Sequence, residues 1–148
     1  MKLSEAISLR EDIRSKISQL QERLLATVRV AEGRKPAEKP EKLYKEIDTG
    51  LRQLKILCVR IDATRASVRY QDKTLLQMEA EQEILTWRIE MMRQSLSKAL
   101  DLSSDSNIQY VSTIDTKLIG KQINTLEELH REAENQIQAL MHYTELKN

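Results

Sequence analysis

Charged side chains lie in line with apolar residues on several predicted helices. These charged residues are the strongest candidates in the chain for ion pairing or ligand binding. Arg10 and Arg14 project from the same side of the first helix as Ile13, and Arg65 falls in line with Ile61 on the second. Antiparallel connections would bring such residues to one level. The predicted charged layer consists of Arg10, Arg14, Asp62, Arg65, Glu79 and Glu83. Buried charges must be paired, because an unpaired buried charge is strongly destabilising.

Three interpretations of this layer remain open. The first is a set of salt bridges that fix helix register or an oligomer interface, since buried ionic groups can specify partners without adding stability. The second is an anion site, in which guanidinium forks clamp a carboxylate or a phosphate. The third is that the arginines lie on apolar stems and reach solvent.

A glutamate and a histidine, Glu127 and His130, lie three residues apart on the predicted fourth helix. In ferritin-like bundles this spacing directs both side chains to a di-metal centre, which needs a second such pair and two further carboxylates. The other histidine, His142, lies on the polar side of its helix, so no second pair is available. Glu127 and His130 are therefore weak metal candidates, and we predict no metal and no other cofactor.

Other catalytic arrangements are not suggested by the sequence. Cys58 lies within an apolar stripe, where a cysteine usually acts as a small buried hydrophobic residue. No glycine-rich phosphate loop and no Ser-His-Asp set with suggestive spacing is present. We therefore predict that the protein is not an enzyme.

The charge balance and the single cysteine bound the partners and the compartment. The 24 lysines and arginines nearly balance 23 aspartates and glutamates, so we expect no general attraction to nucleic acid or to anionic membranes. No apolar run approaches the length of a membrane span, and no signal peptide is apparent. One cysteine excludes an intrachain disulfide and fits a reducing compartment. We predict a soluble cytoplasmic protein.

Apolar residues recur with helical spacing in four segments separated by polar or proline-containing stretches. We predict an all-α, antiparallel arrangement of four long amphipathic helices in a single domain, 1–148. The predicted elements are helices 3–32, 41–67, 73–102 and 115–144, a linker 33–40 with Pro36 and Pro40, a break near 68–72, a polar loop 103–107 and an extended strap 108–114. Gly33 can close the first helix, Gly50 would let another helix approach closely, and Asp115 can cap the last helix.

The strap 108–114 reads Ile-Gln-Tyr-Val-Ser-Thr-Ile, which is rich in β-branched residues and roughly alternating. This pattern fits either a short strand or an extended segment laid across the helices. A lone strand is not stable in water. A strand here would have to pair with a symmetry mate, whereas an extended segment would pack on the helices.

The third predicted helix carries apolar residues on two opposite faces. At about 100° per residue, one face holds Leu75, Met78 and Ile89 with others. The opposite face, which we call the outer stripe, consists of Leu76, Ala80, Ile84, Trp87 and Met91. A helix with one core needs only one apolar stripe, so two stripes indicate burial against two surfaces. We therefore predict a homo-oligomer with the outer stripe as its interface.

Short motifs spread over nearly the whole chain. They are Met1-Lys2-Leu3-Ser4-Glu5-Ala6 with Leu9-Arg10, Glu32-Gly33 with Pro36, Glu38 and Pro40, Thr74-Leu75, the strap from Ile108 to Asp115, Ile137-Gln138 and Thr144-Glu145-Leu146. Together they resemble a family of small, essentially uncharacterised bacterial helical proteins that are sometimes labelled septicolysin-like. The resemblance implies a helical fold, and the label implies membrane lysis.

The chain departs from the family pattern at three places. Asp62-Ala63-Thr64-Arg65 stands where the family tends to have Asn-x-Thr-Asn, Gln82-Glu83 stands where Arg-Asp is usual, and His142-Tyr143 stands where Asn-Trp is usual. If those polar residues form a family site, this chain carries an altered version of it.

Three functional classes follow from these observations. The first is a non-enzymatic helical protein that self-assembles through its third helix, and whose protein partners the sequence does not identify. The second is membrane perturbation by a two-faced amphipathic helix, as the family label implies. The neutral charge and the lack of a basic polar face make a membrane partner the weaker expectation. The third is a bundle that binds an anion or a metal at the charged layer or at His130.

Overall fold

A computed structural model describes residues 1–102 and 107–148, so most of the predicted polar loop 103–107 lies outside the described residues. The described elements are helices α1 (Leu3–Thr27), α2 (Pro40–Ser67), α3 (Leu75–Leu100) and α4 (Thr116–Tyr143), with strands β1 (Arg69–Tyr70) and β2 (Lys73–Thr74) between α2 and α3. The all-α class with four long helices is confirmed.

α1 ends five residues before its predicted end at residue 32. The Val28 amide donates to the Leu24 carbonyl at 3.1 Å, and the Thr27 hydroxyl donates to the same carbonyl at 2.9 Å. The next residues, Val28-Arg29-Val30, include two β-branched side chains, which form helices less readily. The connection to α2 is therefore longer than the predicted linker. Gly33 takes the left-handed conformation with φ +82° within it.

The chain divides into two compact units, and the single predicted domain stays a prediction. The first unit comprises Met1–Val68 and Met141–Asn148. In it α1 and α2 run antiparallel, because Leu20 and Leu24 near the end of α1 form a core cluster with Leu43 near the start of α2. Pro40 is the first residue of α2, a position where its missing N–H costs nothing.

The close helix approach predicted at Gly50 is confirmed. A Cβ built on Gly50 would lie 3.0 Å from Cγ1 of Ile17, on the facing helix α1. Such a contact is tighter than an ordinary van der Waals separation. The missing side chain therefore sets the spacing of α1 and α2 at this level.

We expect Gly50→Ala and Gly120→Ala to differ in their effects on stability. Each replaces a helical glycine with the best helix former, a gain of about 1 kcal/mol in helix propensity. At Gly120 no described atom lies within 4 Å of the added Cβ, so the free energy of unfolding should rise by roughly the full amount. At Gly50 the Cβ would crowd Ile17, so the gain should be cancelled or reversed. Chemical denaturation measures both, and equal rises would contradict the close approach.

The opening and closing motifs meet in this first unit. Leu3 N donates to the Thr144 carbonyl at 2.8 Å, and a β-bridge joins Lys2 to Glu145. The Lys2 ammonium also bonds the Glu145 carboxylate at 2.6 Å, and this hydrogen bond lowers the pKa of Glu145. Leu146, which follows Glu145 in the sequence, is buried. Two widely separated stretches are thereby held together by main-chain and side-chain bonds.

The second unit comprises Arg69–Leu140. Its antiparallel hairpin pairs Arg69 with Thr74 and Tyr70 with Lys73, where the sequence predicted only a break. Gln71, in the turn, has φ +56°. Thr74 then begins α3 with a capping box, because its hydroxyl accepts from the Gln77 amide while the Gln77 side chain accepts from the Thr74 amide.

Residues 108–114 do not form a strand, and an extended strap laid across the helices stays a prediction. Tyr110–Ile114 and the end of α3 line a common cavity of about 580 Å³, which places the strap alongside that helix end. Ser112 bonds its hydroxyl to both the carbonyl and the amide of Ile114. Asp115 then accepts from the Leu118 amide at 3.1 Å, which confirms the predicted helix cap.

Candidate functional site

The structure places the outer stripe of α3 at the surface of the second unit. The opposite face buries Leu75, Met78 and Ile89. The outer stripe faces away from them, with Leu76 51% exposed, Ile84 61%, Trp87 60% and Met91 69%. Ala80 is exposed as well. The two-faced character of α3 that the spacing predicted is therefore present in the structure, while the use of the stripe as an interface stays a prediction.

The C-terminal part of the outer stripe, from Ile84 to Met91, forms one wall of a groove between α3 and α4 with a volume of about 820 Å³. Its lining is mostly apolar. The lining residues are Ile84, Trp87, Arg88, Met91 and Met92 on α3 with Lys121, Gln122, Thr125 and Leu126 on α4. We call this the α3–α4 groove. Its volume lies within the range of protein sites that hold a ligand or a partner's side chains.

Polar contacts hold α4 against α3 beside the groove. Gln82 Nε2 donates to the His130 carbonyl at 2.9 Å and to the Glu134 carboxylate at 3.3 Å. Arg93 pairs with Glu127 further along α3. Since residue numbers rise on α3 as they fall on α4, the two helices are antiparallel. The Gln82 amide oxygen is buried without a hydrogen-bond partner among the described residues.

His130 forms part of this helix contact. The Thr86 hydroxyl donates to the Gln82 carbonyl at 3.0 Å, and the same oxygen lies 2.8 Å from His130 Nε2. His130 is thereby oriented by a neighbouring side chain.

The weak metal candidates are engaged in these contacts. Glu127 is paired with the Arg93 guanidinium, and His130 is bonded to Thr86. Within residues 1–102 and 107–148, no group of three or more His, Cys, Asp or Glu side chains is arranged to hold a metal ion.

Four charges of the predicted layer have nearby partners on their own helices. Arg10 Nε donates to the Glu11 carboxylate at 3.2 Å and Arg14 Nη1 donates to the same carboxylate at 2.9 Å. Arg65 Nη1 lies 3.8 Å from Asp62 Oδ1. Glu79 and Glu83 belong to the second unit. The layer of six charges stays a prediction, and Glu11, which sequence reasoning missed, is the partner of both N-terminal arginines.

Sequence reasoning also missed the α4 wall of the groove. On α4, Leu118 and Leu129 are about half exposed, at 49% and 50%, while Ile123 and Ile137 are buried. Lys121 and Gln122 line this wall and were not singled out from the sequence. Their helical spacing beside the half-exposed leucines is the signal that could have found them.

Comparisons with known proteins place the chain among proteins whose function is not described. A crystal structure of a functionally unknown conserved protein from Corynebacterium diphtheriae is similar, with 27% sequence identity, a TM-score of 0.91 and 99% of each chain covered. A comparison with curated proteins gave no match. Neither the structural relative nor the family match below gives support to the septicolysin-like label. Of the described helices, none has the length and apolar character needed to cross a membrane.

A family model matches residues 10–146, which is nearly the whole chain. The predicted resemblance to an uncharacterised family is thereby supported at the level of the family. The chain belongs to a family of unknown function (DUF6847).

Proposed function

We propose that the protein is a non-enzymatic helical interaction protein that assembles with further copies of itself through the outer stripe of α3. The observation that carries the proposal is the exposure of four large apolar side chains in line on one helix. From residue 76 to residue 91 the stripe is about 22 Å long, at about 1.5 Å per residue. Monomeric proteins rarely leave so continuous an apolar surface in water.

The length of the stripe favours a macromolecular partner over a small ligand. Leu76 and Ala80 lie one to two helical turns before Ile84, where the α3–α4 groove begins. A small molecule in the groove would leave them exposed. A helix laid along α3 covers the whole stripe, as helix-in-groove partners do with anchors spaced by three or four residues.

The outer stripe carries no group that could perform a catalytic step. The five side chains of the outer stripe are apolar and offer no nucleophile, acid or base. Burial of apolar area is the driving force of such a contact, and it needs no chemistry beyond shape and exclusion of water. The surface is therefore suited to recognition.

The test is the solution mass of the 17.2 kDa chain, measured by size-exclusion chromatography with light scattering over a dilution series. We expect a multiple of the chain mass that falls on dilution. Trp87 is the sole tryptophan, so its emission should shift to longer wavelength as the oligomer dissociates. The dilution midpoint of the emission should match that of the mass.

Two outcomes would overturn the proposal. One is a mass of a single chain at every concentration, with unchanged Trp87 emission. The other is a single-chain mass with an emission that shifts to shorter wavelength only when lipid vesicles are added. That second result would instead support membrane perturbation, the alternative implied by the septicolysin-like label.

A further inference from the structure

We infer that the assembly is a two-fold dimer in which α3 packs antiparallel to α3 of a second copy, along the α3–α4 groove, with Glu81 of each chain facing Arg88 of the partner subunit. The inference rests on the proposed self-assembly and names its geometry. It follows from the charges on the two flanks of the outer stripe, from the sizes of the stripe residues, and from the sign of the charge in the groove.

The charges beside the outer stripe differ between its two flanks. Arg88 lines the groove, and Glu81 lies seven residues before it and so on the same flank of the helix. The other flank carries Glu79, Glu83 and Glu90, all acidic. In a two-fold contact each surface meets its own copy, so it must be complementary to itself. The acidic flank would meet its own copy with like charges, so the contact has to be centred on the groove side of the stripe, where opposite charges face each other and the acidic flank stays in solvent.

An antiparallel contact satisfies both charges on the groove flank. A two-fold axis near residue 85 brings residue 81 of one chain to the level of residue 88 of the other. Because the axis acts twice, the contact contains two Glu81–Arg88 pairs. In the isolated chain Glu81 is bonded to Lys73 Nζ at 2.8 Å, in a surface ion pair with both side chains more than half exposed. Such exposed pairs are weak and can exchange partners.

The sizes of the stripe residues favour the same orientation. An axis within about one residue of that level places Ala80 nearly opposite Met91 and Ile84 nearly opposite Trp87, so a small side chain meets a long one. A parallel contact would instead place Trp87 against Trp87 and Ala80 against Ala80. That arrangement crowds one level and leaves a void at another, whereas large and small residues across an interface fill it evenly.

The groove adds a second cation for the incoming carboxylate. Both of the charged residues that line it in the described part of the chain, Arg88 on α3 and Lys121 on α4, are basic. A partner helix entering along Ile84 and Met91 would carry its Glu81 toward this basic edge. The apolar lining complements the apolar outer stripe of a second α3, and the two cations complement its Glu81. A second copy of this chain therefore fits the groove.

A charge exchange tests the pairing. We expect Arg88→Glu and Glu81→Arg each to weaken the dimer about tenfold or more, because each places like charges together at two symmetric positions. The combined variant should restore the dissociation constant to within about threefold, since it rebuilds both pairs. Glu83→Arg on the opposite flank is the matched control, and it should leave the dissociation constant within about threefold of the wild type.

Cysteine cross-linking tests the orientation. In a Cys58→Ala background, a mixture of Ala80→Cys and Met91→Cys chains should form a disulfide between residues 80 and 91, since a disulfide needs Cα atoms within about 7 Å. Each variant alone should cross-link little. Strong self-cross-linking of both single variants would indicate a parallel contact and would overturn the inference.

The failure of this geometry is distinguishable from the failure of self-assembly. If the wild-type protein is a monomer, both self-assembly and the antiparallel contact are rejected. A wild-type dimer that Trp87→Glu dissociates, with no rescue by the charge exchange and no cross-link between residues 80 and 91, would retain self-assembly and reject the antiparallel contact. Circular dichroism of every variant confirms that its helices are formed before its mass is interpreted.

Discussion

Ile61→Ala is expected to lower the free energy of unfolding by about 2–5 kcal/mol, the usual cost of deleting three carbons from a fully buried side chain. Ile61 has no exposed surface. It lies on α2 one turn before Thr64, which is equally buried and accepts a hydrogen bond from the Lys147 amide at 2.9 Å. A site fixed by such a bond has little freedom to collapse around a cavity, which favours the upper part of the range.

Ile56 supplies a matched control on the same helix. It is 61% exposed, so Ile56→Ala removes the same atoms from a largely solvated position. We expect that variant to change the free energy of unfolding by no more than about 0.5 kcal/mol. Urea denaturation measures the free energy of unfolding of both variants. The protein concentration must be the same in each experiment, because assembly makes this free energy depend on concentration. Equal losses in the two variants would contradict the burial described for Ile61.

The faces of α3 could be predicted from the sequence because helical spacing alone decides them. Ile84 and Ile89 are identical side chains five residues apart, which places them on nearly opposite sides of a helix. The structure leaves Ile84 61% exposed and Ile89 6% exposed. The cap of α4 could also be predicted from the sequence. It requires only a hydrogen bond from the Leu118 amide to the Asp115 carboxylate, three residues away.

The end of α1 and the hairpin could not be predicted because several weak local preferences compete there. α1 ends at Thr27, although the apolar pattern continues as far as Val28. Residues 69–74 carry no Asn-Gly or Asp-Gly signal of a tight hairpin. They pair because Gln71 adopts a positive φ, a conformation uncommon for its residue type.

The groove and the charge partners depend on information beyond the pattern of one helix. The spacing of α3 and α4 sets how much of Trp87 and Met91 stays open, and that spacing is fixed by contacts such as Gln82 with His130. For the arginines of α1, an antiparallel layer of distant charges was predicted. The nearby Glu11 carboxylate is a simpler partner, since little chain entropy is lost in closing so short a loop.

Trp87→Glu is expected to weaken self-assembly by about 30- to 1,000-fold, which corresponds to about 2–4 kcal/mol. Tryptophan is among the commonest anchors of protein interfaces, and a carboxylate in its place would lose water on assembly and would remove the apolar contact area. Because Trp87 is 60% exposed in the isolated chain, the fold itself should lose little stability. Light scattering over a dilution series should therefore report a folded single chain.

Leu25→Glu is the control for a carboxylate placed on an exposed apolar position elsewhere. Leu25 lies on α1 and is 64% exposed, so the substitution makes a similar change of charge outside the outer stripe. We expect its mass to follow the wild type, while Trp87→Phe, which keeps an aromatic anchor, should retain most of the affinity. Equal dissociation by Leu25→Glu and Trp87→Glu would show a general effect of charge and would exclude α3 as the specific contact. Dissociation by Trp87→Glu alone would identify the outer stripe as the surface that joins the subunits.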